Sequence, residues 1–135
     1  MKASTLSFKA AVLMALAGMA WGIDMAISGD HSQMPAHAHL NLMGWVSLFL
    51  FGIFYRLHPA LDGARAALVQ VWIWIVATVV LIIGVAMLLA GKDMGEPVAT
   101  VGSLAALLDM LLFAWLVFRP QGASGSVRAT AQAAE

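Results

Sequence analysis

The chain has no cysteine, a single tyrosine and few charges: 7 Lys and Arg against 7 Asp and Glu, together 10% of 135 residues. Without cysteine there are no disulfides, thiolate metal centres or cysteine-ligated iron–sulfur clusters, and no Cys-x-x-Cys-His motif to attach haem covalently. A formal net charge of zero leaves no basic excess to attract a polyanion, so nucleic acid is not an expected partner. Charge this scarce in a chain that is 62% hydrophobic, with a mean hydropathy of +0.91, is incompatible with one water-soluble domain and calls for a lipid bilayer. Barrel strands would alternate with period two, whereas residues 71–90 (VWIWIVATVVLIIGVAMLLA) are almost continuously apolar. The spans are therefore expected to be helices.

Four such stretches, at about 10–28, 35–55, 66–90 and 97–118, approach the ~20 residues that a helix needs to cross the hydrocarbon. The expected fold is all-α: a polytopic membrane protein with four transmembrane helices in residues 1–120 and a small polar tail, QGASGSVRATAQAAE, at 121–135. Lys2 and Lys9 precede the main apolar run of the first span, Arg56 and Arg65 flank the connection between the second and third, and Arg119 and Arg128 follow the fourth. The opposite side carries only Lys92. By the positive-inside rule both termini are expected in the cytoplasm, with the chain in the cytoplasmic membrane and the connections at 29–34 and 91–96 facing outward. Residues 1–20 also have the basic start and the Ala17-Gly-Met-Ala20 ending of a signal peptide. They are read as a span, because removing them would leave three spans and break the agreement of the later basic clusters with one orientation.

Against this apolar background, HSQMPAHAHLNLMGWVSLFLFGIFYR (residues 31–56) places His31, His37, His39 and Asn41 at the head of the second span. Pro35 suits a first helical turn. Two residues apart on a helix is about 200° of rotation, so His37 and His39 point to nearly opposite sides and cannot chelate one ion together. Asn41 lies one turn beyond His37 on the same face, where its amide can hydrogen-bond a ligand or an imidazole. A lone histidine at headgroup depth is ordinary, and His58 in YRLHP is read that way. Two on opposite faces with an asparagine deeper still form a functional candidate, since polar side chains within a membrane are costly. Asp24, near the outer end of the first span, is a candidate to orient an imidazole or a haem propionate. Asp109, midway along the fourth, is expected to be protonated, hydrogen-bonded or part of a proton path; otherwise both acids serve helix–helix hydrogen bonding. Gly84, Gly91 and Gly102 are expected at close helix contacts or turns.

Neutral imidazoles without neighbouring carboxylate or thiolate suit haem iron first and copper second, and disfavour calcium and magnesium. Flat or flexible apolar side chains that could flank a porphyrin are present in Trp21, Met43, Trp45, Phe49 and Phe51, although such residues fill any helix interface.

The segment Pro35-Ala-His37-Ala-His39-Leu-Asn-Leu-Met-Gly44 resembles the haem-binding segment of subunit I of the haem-copper oxidases, whose tenth transmembrane helix carries an Ala-His-aromatic-His pattern followed shortly by glycine. In that family the two histidines face two different haems, and twelve helices form three arcs of four. This chain matches one arc, with its histidines on the arc's second helix. The resemblance implies a haem b protein for electron transfer or for sensing redox state or a gaseous ligand. His37 and His39 would be iron ligands, Asn41 and Asp24 would lie around them, and a quinone or cytochrome would be the redox partner. No further histidine on the third or fourth span is available for the family's copper site, and no tyrosine pairs with one. Oxygen reduction by the family mechanism and proton pumping are therefore not expected, while oxidoreductase activity stays open. The alternative is a haem-free metal-binding, transport or oxidase-assembly module in which His31, His37 and His39 collect copper or another divalent ion. Because one helix cannot place both ligands on one iron, a bis-histidine haem needs a second copy of it. A closed ring lets His37 of one subunit meet His39 of the next, and the family's three arcs suggest a homotrimer.

Overall fold

In lipid, backbone N–H and C=O groups must find partners within the protein, and a helix satisfies them within its own segment. The computed structural model describes residues 1–119, and those residues form only helices and short connections; the tail expected at 121–135 lies outside the described residues. Helix α1 (Ala3–Ser28) is followed by a continuous second span made of α2 (Met34–His39), a π-helical stretch (Leu40–Ser47) and α3 (Leu48–Leu57). A short α4 (Pro59–Asp62) leads to α5 (Arg65–Leu89) and α6 (Gly95–Phe118). Four helices, Ala3–Ser28, Met34–Leu57, Arg65–Leu89 and Gly95–Phe118, are long and apolar enough to cross a membrane.

The first span begins earlier than hydropathy alone suggests, and the cause lies far along the chain. Lys2 caps α1 with no side-chain bond. Instead the carboxylate of Asp62, buried in α4, accepts the Ser4 backbone N–H at 2.7 Å and the Ser4 hydroxyl at 2.9 Å. An anion at a helix N-terminus satisfies a free donor and favours the helix dipole. The other ends use turn chemistry: Gly29 and Gly91 both adopt φ of 69°, a conformation that glycine takes without steric penalty.

Helix α1 lies along the second span, that span packs on α5, and α6 packs almost wholly on α5. The α5–α6 contact is backbone on backbone. A Cβ at Gly84 would run into the main chain of Ala99, one at Gly95 into Leu88, and one at Gly102 into Leu81. Small residues allow this approach, which maximises dispersion where lipid supplies no hydrophobic drive between helices. Leu48, Phe51, Tyr55, Val71, Trp74 and Leu116 are buried among the helices. Leu13, Leu108 and Phe118 are exposed, as expected of a surface that faces acyl chains.

The π-helical stretch is the main departure from four straight α-helices. Widening the turn disturbs the regular backbone ladder, and here side chains take up carbonyls. The Trp74 indole N–H donates to the Met43 carbonyl at 3.0 Å, and the Ser47 hydroxyl donates to the Leu42 carbonyl at 2.9 Å. Within the stretch, Gly44 faces Met14 of α1, whose side chain occupies the space a Cβ would need.

Candidate histidine site

Pro35 falls in the first turn of α2, as the sequence suggests, and the histidines follow it directly. His37 points toward α1, where Gly22 makes room for it: a Cβ there would come within 3.2 Å of the imidazole. Trp21 meets the ring edge-on, with centroids 6.4 Å apart. One turn further, the Asn41 side chain fills the space over Gly18, where an added Cβ would lie 2.6 Å from its Oδ1. Glycines four residues apart on α1 thus receive the two polar side chains of the second span.

Asn41 Nδ2 donates to the His37 carbonyl at 3.0 Å and lies 3.1 Å from His37 Nε2 and 3.5 Å from Nδ1, Nε2 being the nearer acceptor. For Nε2 to accept, the ring proton must sit on Nδ1. His39 is held differently: its Nδ1–H donates to the Pro35 carbonyl at 2.7 Å, which leaves an Nε2 lone pair with no hydrogen-bond partner among the described residues. An imidazole fixed through Nδ1 by a backbone carbonyl, with Nε2 open, is in the tautomer and orientation that a metal ligand uses. Both rings are half-buried. Beside His37 and Asn41 an apolar groove of about 440 Å³ is completed by Met19, Gly22, Ile23 and Ala26.

The other sequence candidates fall outside this arrangement. Asp24 is exposed on α1 and takes no part in the hydrogen bonds of either histidine. His31 turns to the Gly29 carbonyl at 3.1 Å in the connecting loop. Beside it, Asp30 accepts the Ser32 backbone N–H at 2.9 Å; that bond, a second from the Ser32 hydroxyl and the nearby His31 hold its carboxyl below the ordinary value. His58 donates through Nδ1 to the Phe54 carbonyl at 2.7 Å and stacks on the Phe54 ring. Among the described residues no three His, Cys, Asp or Glu side chains gather as a metal cluster.

Sequence reasoning singled out Asp109 and missed its partners. Tyr55, Gln70 and Asp109 come from α3, α5 and α6 and are each 1% exposed or less. The Tyr55 hydroxyl donates to Gln70 Oε1 at 2.8 Å, and Gln70 Nε2 donates to Asp109 Oδ2 at 2.6 Å. Gln70 follows Arg65 by little more than one turn, and its position near the start of a span makes it read as a headgroup-level residue. The available signal is the coincidence of a polar residue at that depth with an acid in another span.

Four membrane-length helices define the class, a multi-pass helical membrane protein. Comparison with protein families, curated proteins and solved structures finds no significant match to this chain.

Proposed function

We propose that the protein binds haem b non-covalently at the outer end of the second span and uses it for electron transfer or for sensing redox state or a gaseous ligand. It lies in the cytoplasmic membrane with both termini inside, as the distribution of Lys and Arg implies. The observation that carries the reading is His39, whose Nδ1–H is held by the Pro35 carbonyl at 2.7 Å while Nε2 stays open. The donor chemistry fits haem iron: two imidazoles beside an apolar groove wall, with the Nδ1 proton of His39 held by a backbone carbonyl. It does not fit a haem enclosed in one chain, because His37 and His39 leave the helix on different flanks. The axial pair therefore comes from two copies. A closed ring in which His37 of one subunit faces His39 of the next uses both at every interface, and the resemblance to a three-arc oxidase subunit selects a homotrimer. Haem would supply one-electron chemistry there. The chain supplies the ligands, with the groove bounded by Met19, Ile23 and Ala26 as apolar wall.

A pyridine haemochrome assay on protein purified from haem-sufficient cells is the first test. Haem b is expected. Colourless protein that takes up no added haem would discard the reading and favour a haem-free module in which the outer histidines bind copper.

A further inference from the structure

The buried acid of α6 has a role that the histidine site does not use. Asp109 Oδ2 accepts one hydrogen bond, from Gln70 Nε2 at 2.6 Å. Its Oδ1 is buried and has no partner among the described residues. Gln70 is in turn held by the Tyr55 hydroxyl at 2.8 Å, so both donors point toward the acid and both are neutral. A carboxylate in this position would have one amide N–H for two oxygens, in a medium that penalises charge. Among the described residues no basic side chain hydrogen-bonds Asp109. Arg56 and Arg65 lie at the ends of α3 and α5, Arg119 follows α6 ten residues beyond Asp109, and His58 donates to the Phe54 carbonyl. Tyr55 is the one titratable side chain that joins Asp109 in the hydrogen-bonded chain. A neutral acid resolves the conflict. Its carbonyl oxygen, Oδ2, keeps the Gln70 bond, and its hydroxyl is Oδ1, the oxygen without a partner.

We propose that Asp109 is an intramembrane proton-binding site, carrying an exchangeable proton on Oδ1 and positioned by Gln70 and Tyr55. The nearer membrane face is the one that bears Arg56, Arg65 and Arg119, since Asp109 is ten residues from Arg119 and fourteen from Gly95 at the other end of α6. Tyr55 is next to Arg56 in sequence, and Gln70 is five residues from Arg65, about 7.5 Å of helix rise. The buried polar groups therefore begin near that face and end at the acid. A second buried oxygen without a partner among the described residues, Thr78 Oγ1, lies eight residues beyond Gln70 on α5, about 80° further round the helix.

Infrared spectroscopy of the full-length protein in lipid, which needs no haem, tests this directly. The wild type is expected to show the carbonyl stretch of a protonated carboxylic acid that shifts in D2O and fades as pH is raised. The band should be lost in Asp109→Asn, which preserves an oxygen to accept from Gln70. Gln70→Leu should keep the band and move it to higher frequency, because the carbonyl loses its donor; this variant carries the test if Asp109→Asn does not fold. Tyr55→Phe removes the donor that holds Gln70 Oε1 and should also move the acid band, because the amide that donates to Oδ2 loses its anchor. A spectrum with no Asp109-dependent acid band, or a band indifferent to pH and D2O, would overturn the site.

Discussion

Asn41 stands in front of the nitrogen that a metal would need. Its amide donates to His37 Nε2 at 3.1 Å, so ligation through Nε2 requires that bond to break. A side-chain hydrogen bond of this kind contributes about 0.5–1.5 kcal/mol net. At 1.4 kcal/mol per decade of affinity, removing this competitor should tighten haem binding roughly two- to tenfold. Asn41→Leu is the appropriate change, because leucine has a similar branched shape and Gly18 leaves the space for it. The His37 carbonyl that Asn41 also holds keeps a backbone partner in the Leu40 N–H. The assay is a titration of the haem-free protein followed by the Soret absorbance, comparing Asn41→Leu with the wild type and His37→Ala. An Asn41→Leu variant that binds haem as poorly as His37→Ala would refute the reasoning. Asn41 would then be a group the ligand depends on.

Replacing His37 or His39 with alanine should convert a six-coordinate low-spin haem spectrum to five-coordinate or abolish haem uptake, whereas His31→Ala and His58→Ala should leave the spectrum unchanged. Native mass spectrometry should find three chains with haem, and a monomer with fully ligated haem would defeat the ring. For the α5–α6 contact, Gly102→Ala would place a methyl 2.6 Å from the Leu81 Cα, against backbone that cannot turn aside. Overpacking of about 1–3 kcal/mol should outweigh the gain of about 1 kcal/mol in helix propensity and lower the melting temperature in detergent, while Gly63→Ala, with open space around it, should not.

Span number and approximate limits were legible in the sequence because hydropathy and segment length respond to the bilayer alone. The same holds for Pro35 at a helix start, for the separation of His37 from His39, and for the Asn41 approach to His37, all of which follow from helical period. Gly84 and Gly102 were legible as close contacts, though not their backbone partners. Helical period does not reveal which residues from distant segments meet. The Asp62 cap of Ser4 bridges 58 positions; the Trp74 bond to Met43 spans 31 and the Gln70 bond to Asp109 spans 39. Each depends on how helices are rotated and raised against one another. The π-helical turn likewise has no period of its own in the sequence, and its Met43 carbonyl finds a side-chain partner only once Trp74 of α5 lies beside it. The sequence by itself determined a four-helix membrane chain with imidazoles at one end. Tertiary structure decided that Gly18 and Gly22 of α1 receive Asn41 and His37, and that among the described residues Asp109 has one partner rather than two, because burial and hydrogen bonding between spans are properties of neighbouring helices and not of the helix that carries the residue.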